Sequence, residues 1–333
     1  MPDPKANPSG ETIRKEVAAG LDIHLTELHP MTGGLDAEAQ AYRAMDTGGH
    51  EYFLKFRRQL AGIDLQHVLR RAGIKEIPTP IAGTPIPANY DDSSPEPPDG
   101  FVLLYPFLQA QNAHDRPMQL HHWRRLGETV RKVHDCQYRK HLPQEQFRIA
   151  NTDRFVAQVQ ALLKGGAKNE AEEDLVATIK EHESTIERTI RRTAELGDAC
   201  RAKEWEFVPC HADLHVWNIL VGDDDKIYIV DWDNPRLAPP ECDLMFIRDG
   251  GIAGLHGPNE EQSFFEGYGH QPPNLPLLTY YRYARALDDF VAFAHEAISM
   301  PNRSPEQKQE AVNGFKVLFH PNGILESAIR TDR

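Results

Sequence analysis

The stretch that decides the fold runs over residues 208–221, Val-Pro-Cys-His-Ala-Asp-Leu-His-Val-Trp-Asn-Ile-Leu-Val, and resumes over residues 227–233, Ile-Tyr-Ile-Val-Asp-Trp-Asp. A polar Gly-Asp-Asp-Asp-Lys turn separates the two segments, and apolar, β-branched runs flank it on both sides. This pattern predicts a two-stranded hairpin. Asn218 and Asp231 stand at the outer ends of its strands, so we expect their side chains to face each other.

The polar residues of this segment have a spacing that is typical of phosphoryl transfer. His211 lies two residues before Asp213, Asn218 lies five after it, and Asp231 lies thirteen after Asn218. A carboxylate such as Asp213 can orient a hydroxyl and accept its proton. Oxygen atoms of Asn218 and Asp231 are ligands that suit Mg²⁺, which neutralises charge on phosphate oxygens.

Two alternatives compete with this interpretation. His211, Asp213 and His215 alternate as metal ligands on one strand face could, but no Cys-x-x-Cys or His-Glu-x-x-His accompanies them. A purely structural Asp-rich hairpin is the second alternative. The full constellation with its flanking strands favours phosphoryl transfer over both.

Composition limits the classes of protein. With 333 residues and 40% hydrophobic content, the chain is long enough for one large or two medium domains. Its 37 basic and 50 acidic side chains give a net charge of −13, and no basic block could follow a phosphate backbone. We therefore expect two lobes, a small-molecule substrate and no nucleic-acid partner.

The spacing of the cysteines and the length of the apolar runs indicate the cellular compartment of the protein. Four cysteines are scattered without metal or redox spacing, as fits a reducing cytosol. The first residues contain no apolar leader, and no run approaches the length of a membrane span. The prediction is a cytoplasmic protein with no membrane partner.

The N-terminal part is typical of a small β-rich lobe. Strands are predicted at residues 21–29, 37–45 and 51–56, with a glycine-containing loop between the first two. Gly33 and Gly34 in that loop would let backbone amides approach a phosphate, although the pair is short of a full Gly-x-Gly-x-x-Gly.

Lys55 lies within the third strand, where an ammonium group is costly to bury unless an anion meets it. After a glycine loop, that anion would be the α- and β-phosphates of a nucleotide. An exposed strand lysine is the alternative. The next helix, at residues 61–72, offers Asp64 but no glutamate, so the acidic partner of Lys55 is Asp64, a residue elsewhere, or absent.

A connector follows this lobe. Residues 101–105 form an apolar strand that Pro106 interrupts, after a polar segment at residues 85–100 that is predicted to be a solvent loop. An adenine ring could bond to the carbonyl of Pro106 and the N–H of Leu108. We therefore predict a nucleotide-binding lobe at residues 1–104, a hinge at 105–108 and a helical lobe with the catalytic hairpin at 109–333.

Apolar residues recur with helical spacing after the connector. Helices are also expected before the first strand and near the C-terminus. The segment at 170–196 is mostly charged, which predicts a solvated outer helix or lid. The predicted helices cover residues 11–19, 120–133, 155–163, 170–196, 239–246, 260–268, 280–298, 305–318 and 324–329.

Together, the segment at 208–233, the Gly33-Gly34 loop and Lys55 resemble the aminoglycoside phosphotransferase/choline kinase-like family. Leu-Ala-Pro at 237–239, Asp-Leu-Met-Phe-Ile at 243–247 and Phe-Phe-Glu-Gly-Tyr-Gly at 264–269 narrow the resemblance to its spectinomycin phosphotransferases.

The resemblance implies an α+β, two-lobed protein-kinase-like fold with a mainly helical C-lobe. It implies transfer of phosphate from ATP (or GTP), with Mg²⁺, to a hydroxyl of spectinomycin or a related aminocyclitol, which confers antibiotic resistance. Asp213 would be the catalytic base, Asn218 and Asp231 the metal ligands, and Asp243 structural. A metabolic kinase of choline, homoserine or a sugar is an alternative, and a catalytically inactive binding module is another.

An aminocyclitol carries protonated amines, so its site needs carboxylates and an apolar surface. Asp233 and Trp232 follow the predicted metal ligand directly and offer both. Asp288 and Asp289 could contribute from the late helix. The alternatives are that Trp232 is packing and that the late aspartates are solvated. A monomer is expected.

Overall fold

The computed structural model describes residues 8–31, 40–58, 62–81, 86–88, 100–149, 152–251, 256–270, 272–300, 303–321 and 323–332. Its helices are α1 Gly10–Leu21, α2 Ile63–Arg71, α3 Leu120–His134, α4 Thr152–Gly165, α5 Glu170–Glu181, α6 Glu183–Arg201, α7 Glu241–Leu244, α8 Pro258–Tyr268, α9 Leu275–Ser299, α10 Pro305–Val317 and α11 Ile324–Thr331. Its strands are β1 Leu25–Pro30, β2 Gln40–Asp46, β3 Glu51–Arg57, β4 Ile86–Ala88, β5 Gly100–Pro106, β6 Ala110–Asn112, β7 Val208–Cys210, β8 Ile219–Gly222, β9 Ile227–Ile229 and β10 Arg236–Ala238.

The described residues form two compact units. The first contains those of 1–118, 138–142 and 216–235, and the second contains those of 119–137, 143–215 and 236–333. Segment 216–235 belongs to the first unit because its two strands, β8 and β9, form a sheet with β6. This grouping differs from the predicted boundary at residue 104, and a hinge at 105–108 stays a prediction.

A five-stranded antiparallel sheet forms most of the first unit, in the order β1-β2-β3-β5-β4. Successive side chains of a strand point to opposite faces. Leu54 and Phe56 of β3 therefore enter the core, together with Ile13 and Val17 of α1. Lys55 lies between them in sequence and points to the other face, away from this apolar cluster.

Helices dominate the second unit, and α9 is its central element, in contact with α4, α5, α6, α10 and α11. Phe290 of α9 packs against Phe155 of α4 and Phe315 of α10, with ring centroids 6.1 and 5.1 Å apart. Helix α3 lies close against α8 where Gly127 of α3 and Gly267 of α8 each face the backbone of the other helix. A Cβ atom on Gly127 would lie 2.0 Å from the carbonyl oxygen of Phe264, so glycine is required there.

Two sequence predictions about this architecture are wrong. Residues 86–88, predicted as part of a solvent loop, pair with β5 as strand β4. The segment at 170–196 is two helices, because His182 leaves helical geometry between α5 and α6. It is also not a solvated lid, since its buried Leu175, Ile179 and Ile186 join the core around α9.

The remaining predicted helices and the three N-terminal strands are confirmed, with ends that differ by a few residues. The α+β class is confirmed as well. Among the described residues, no helix has both the length and the apolar character needed to cross a membrane.

Candidate active site

The predicted hairpin is confirmed. Strands β8 and β9 pair antiparallel, and the amide of Gly222 donates to the carbonyl of Lys226 at 2.8 Å to close the turn. At the open end, the amide of Val230 donates to the carbonyl of Asn218 at 2.9 Å. Asn218 directly precedes β8 and Asp231 lies two residues after β9, so both are brought to the same end of the hairpin.

Asp231 has a strained backbone. Its φ is +64°, in the left-handed region that residues other than glycine rarely adopt. Such strain persists only where the surrounding structure enforces it, and it is frequent at functional sites. The turn directs the chain out of β9 and presents a carboxylate that is 41% exposed.

Lys55 pairs with two carboxylates in the first unit. Its Nζ donates to Oδ1 of Asp231 at 2.9 Å and also contacts Oδ2 of Asp233. Arg57 binds Oδ1 of Asp233 at 2.9 Å. Because the Lys55 side chain is only 14% exposed, the exposed-lysine alternative does not hold. Its partners lie elsewhere in the chain, while Asp64 accepts a 3.4 Å hydrogen bond from Tyr138.

The four charges of this cluster depend on one another. Burial raises the pKa of Asp233 to about 6, with a contribution from the neighbouring Asp231, although Lys55 and Arg57 oppose the rise. Burial lowers the pKa of Lys55, but Asp231 and Asp233 outweigh it, so the net pKa is raised. Lys55 therefore stays protonated and balances the carboxylates.

The donor set at the open end of the hairpin suits Mg²⁺. It consists of a carboxylate at Asp231 and an amide oxygen at Asn218, which are hard oxygen ligands. No soft sulfur or imidazole ligand is needed. The residues that hold this end in place, Lys55 and Arg57, carry positive charge that would also favour an anionic phosphate.

In the second unit, Asp213 lies on a loop that Asp243 anchors. Asp243 of α7 accepts from the amide of His211 at 2.9 Å and from the amide of Ala212 at 2.7 Å. It also pairs with Nε2 of His134 at 3.1 Å. Burial raises the pKa of Asp243, but His134, His211 and the backbone donor outweigh it, so the pKa is lowered. These contacts agree with the structural role expected for Asp243.

An arginine and a histidine lie beside the carboxylate of Asp213. Arg285 of α9 donates from Nη1 to Oδ1, and Nε2 of His215 lies 3.3 Å from the same oxygen. Burial raises the pKa of Asp213, but Arg285 and His215 outweigh it and hold the pKa well below its usual range. Asp213 is therefore ionised at neutral pH, as a proton acceptor must be.

Sequence reasoning missed Arg285. The available signal was a positive charge four residues before Asp289, within a helix whose other positions are largely apolar.

The predicted acceptor-binding residues differ in their surroundings. Trp232 is 3% exposed and its Nε1 donates to the carbonyl of Ile229 at 2.9 Å, which fits the packing alternative. Asp233 is engaged by Lys55 and Arg57. Asp289 binds Arg285 and is not a solvated surface residue.

Asp288 alone among these four has an exposed side chain. Protein surroundings nevertheless desolvate its carboxyl and raise the pKa to about 6, with Asp289 adding to the rise and Arg285 and Arg236 opposing it. It is thus a carboxylate that solvent reaches and that a cation would stabilise.

The predicted adenine contacts lie where β5 ends. Pro106 is the last residue of β5 and is exposed, and Leu108 is partly buried. The amide of Phe107 donates to the carbonyl of Glu51 at 3.2 Å, which holds this connector against β3. The adenine contacts themselves stay a prediction. Gly33 and Gly34 lie outside the described residues.

A carboxylate on an anchored loop, and a carboxylate and an amide at the end of a hairpin, are the groups that phosphoryl transfer needs. The sequence model of the phosphotransferase enzyme family, APH, matches residues 32–285, more than half of the chain. The protein therefore belongs to the APH phosphotransferase family, and the resemblance inferred from its motifs is confirmed.

Two solved structures of one enzyme are similar to this chain over nearly its whole length. Spectinomycin phosphotransferase APH(9)-Ia in complex with ADP and spectinomycin is 26% identical, with a TM-score of 0.77 over 98% of this chain and 99% of that one. The AMP-bound complex of APH(9)-Ia is 24% identical, with a TM-score of 0.73 over 98% and 100%.

Amicoumacin kinase hAmiN, in complex with AMP-PNP, Ca²⁺ and Ami, is 14% identical with a TM-score of 0.56 over 95% of each chain, a similarity of fold alone. No curated protein sequence matches the chain.

Proposed function

We propose that this phosphotransferase moves the γ-phosphate of ATP (or GTP), with Mg²⁺, onto a hydroxyl of spectinomycin or a closely related aminocyclitol, and so confers resistance. The observation that carries the chemistry is an ionised Asp213 on an anchored loop, five residues before Asn218. The choice of acceptor is supported by the likeness to APH(9)-Ia across nearly the whole chain.

The proposed step is a displacement at the γ-phosphorus. The acceptor hydroxyl oxygen forms a bond to this atom while the bond to the β-phosphate oxygen breaks, and ADP leaves. Asp213 orients the hydroxyl and takes its proton. A carboxylate of low pKa is a weak base, which suits a loose transition state in which the nucleophile gives up its proton late.

Asn218 and Asp231 are the residues proposed to hold Mg²⁺, which would neutralise charge on the phosphate oxygens. Lys55 now shares Asp231 and Asp233. With nucleotide and metal bound, we expect Lys55 to contact the α- and β-phosphates instead. The phosphates would compete with the two carboxylates for the ammonium group, and Mg²⁺ would take the carboxylate of Asp231.

Recognition of the acceptor is assigned to carboxylates. Asp288 is the strongest candidate for a protonated amine, because it is exposed and its charged form lacks full solvation. Asp289 is not assigned to the acceptor, because its carboxylate pairs with Arg285 at 3.1 Å. Trp232 is left out of this assignment because its ring is buried.

A metabolic kinase acting on choline, homoserine or a sugar is the second candidate. The two candidates share every residue of the phosphoryl-transfer machinery and differ only in the acceptor. A catalytically inactive binding module is disfavoured, because such a protein has no need to retain Asp213, Asn218 and Asp231 together.

An acceptor panel tests the proposal. ADP release with MgATP would be measured for spectinomycin, kanamycin, choline and homoserine, and spectinomycin should be turned over far faster than the others. Asp213→Asn is the matched control, since it keeps shape and removes the acceptor charge. Loss of a general base costs about 10²–10⁴-fold in rate, so its kcat should fall by at least roughly 10² with little change in nucleotide affinity.

Cells expressing the protein should tolerate spectinomycin, and cells expressing Asp213→Asn should not. Turnover of choline or homoserine without turnover of spectinomycin would contradict the proposed acceptor and would leave the proposed phosphotransferase reaction standing. A folded Asp213→Asn protein with nearly normal kcat would reject Asp213 as the base.

A further inference from the structure

An arginine on the late helix joins two carboxylates in the second unit. Arg285 donates from Nη1 to Oδ1 of Asp213, and its Nε lies 3.1 Å from Oδ1 of Asp289. Asp289 is four residues further along α9, so both side chains lie on the same face of the helix. Asp289 thereby holds one edge of the guanidinium while the other edge reaches Asp213.

An aromatic ring lies close to these groups. The Phe246 ring centroid is 5.9 Å from the guanidinium carbon of Arg285 and 6.1 Å from the ring centroid of His215. Phe246 is buried, and the Arg285 side chain is only 23% exposed. Solvent therefore screens the Arg285–Asp213 pair weakly, and the pair is stronger than an exposed ion pair.

Four titratable or charged groups of the second unit act on Asp213. His211 and His215 belong to its own loop, and Arg285 and Asp289 belong to α9. Asp288, also on α9, is surrounded by Arg285, Asp289, Arg236 and Glu145. Only the arginine among the α9 groups is cationic, so it is the group whose removal should change the charge balance at Asp213 most.

We propose that Arg285 is a positioning residue for phosphoryl transfer, which holds the Asp213 carboxylate ionised and in one orientation so that transfer persists at acidic pH. This rests on the proposed role of Asp213 as the base. Arginine suits the task because it stays protonated and its planar fork can bind two carboxylates at once.

The expected size of the effect follows from the contact distance. An opposite charge within about 4–6 Å lowers the pKa of a carboxyl by ~1–3. Removing Arg285 should raise the pKa of Asp213 by about that amount. Burial, which raises the pKa of Asp213, would then no longer be opposed by the arginine.

A direct titration tests the ion pair without any substrate. Protein carrying carboxyl-¹³C aspartate would be followed by NMR between pH 3 and 8, with Asp213→Asn to identify the resonance. In the wild type, Asp213 should stay ionised down to the lower end of this range. In Arg285→Met its midpoint should move up by ~1–3. Arg285→Lys, which keeps the charge, should show a smaller shift.

Asp289→Asn is the matched control. It removes the second partner of Arg285 from the same helix and leaves the guanidinium beside Asp213, so the Asp213 midpoint should stay low. Thermal melts of all variants would show that each is folded at the pH values used.

The pH dependence of the reaction rate is the second test of the proposal. At saturating MgATP and saturating spectinomycin, kcat would be measured over the pH range of the NMR titration, so that binding of the acceptor by Asp288 does not enter the profile. The acid limb should move upward in Arg285→Met by the shift seen in the NMR titration, should return toward the wild-type position in Arg285→Lys and should not move in Asp289→Asn.

Three results would overturn the proposal: an Asp213 midpoint unchanged in Arg285→Met, equal shifts in Arg285→Met and Asp289→Asn, or an NMR shift without a shift of the acid limb. Failure of the proposed function has a different signature. Asp213→Asn would then keep its activity, or spectinomycin would not react, while the titration still decides the ion pair.

Discussion

The contact that should matter most for stability is the anchor of the Asp213 loop at Asp243. The substitution Asp243→Ala removes the acceptor for the amides of His211 and Ala212, at 2.9 and 2.7 Å, and the partner of His134, at 3.1 Å. The side chains of His134 and Asp243 are 2% and 1% exposed. Water cannot easily take the place of the lost carboxylate.

The cost can be bounded from these contacts. Each buried N–H left without an acceptor costs about 1–3 kcal/mol. The three losses share one carboxylate and the loop can relax, so we take about 3–5 kcal/mol for the whole substitution. At ~2–4 °C per kcal/mol for a large domain, the Tm should fall by roughly 10 °C.

Thermal and urea unfolding of the wild type, Asp243→Ala and Asp243→Asn would measure this loss. Asp243→Asn keeps one acceptor oxygen and presents an amide to the other donor, so its stability should lie between that of the wild type and that of Asp243→Ala. Asp135→Ala is the control, because it deletes an aspartate that forms an exposed pair with Arg131 at 2.6 Å. Exposed pairs contribute about 0–1 kcal/mol.

The kcat of Asp243→Ala should also fall, because the loop that carries Asp213 loses its anchor. A loss of less than about 1 kcal/mol, no larger than an exposed pair contributes, would refute the reasoning from burial and hydrogen bonding.

Asp231→Ala should reduce Mg²⁺-supported ADP release more severely than Asn218→Ala, because it removes a charged ligand and not a neutral one. The rate of ADP release would be measured as a function of Mg²⁺ concentration. A wild-type dependence of this rate on Mg²⁺ in Asp231→Ala would contradict the assignment. Lys55→Met should raise KM for MgATP and leave KM for the acceptor nearly unchanged, whereas Lys226→Met, at a side chain that is 68% exposed, should change neither. Unchanged nucleotide kinetics in Lys55→Met would remove Lys55 from the site. The pKa of Asp288 is about 6, so its carboxylate gains charge as pH rises through that value and a cationic acceptor should bind more tightly at pH 7 than at pH 5. Asp288→Asn should lose this dependence of KM on pH, and a dependence equal to that of the wild type would show that another group recognises the amine.

The hairpin illustrates what could be predicted from the sequence. Asn218, Asp231 and the strands between them lie within a few residues of one another, so alternation of apolar residues and a polar turn predicted their pairing before any coordinates. The same local periodicity predicted α3, α8 and the long helix α9. Interactions between neighbours in the chain are visible as patterns because their spacing is set by the geometry of one element.

The partners of the charged residues could not be predicted from the sequence. Lys55 binds Asp231 at a separation of 176 positions, and Arg285 binds Asp213 at a separation of 72. No spacing rule connects residues so far apart. The partners of Lys55 are residues elsewhere in the chain, which was one of the predicted alternatives, and not Asp64 on the following helix.

Burial was likewise decided by packing. Trp232 and Asp233 are adjacent in the same polar and aromatic segment, yet one is enclosed against Ile229 and the other is held by Lys55 and Arg57. The charged segment at 170–196 contributes Leu175 and Ile179 to the core around α9.

The sequence by itself therefore determined which residues the proposed chemistry would use, since the type and spacing of Asp213, Asn218 and Asp231 are local properties. The tertiary structure alone decided which charges neutralise them and which side chains remain open to a substrate. Those outcomes depend on which distant surfaces come into contact, because opposite charges attract more strongly where less water screens them, while each buried charge costs desolvation.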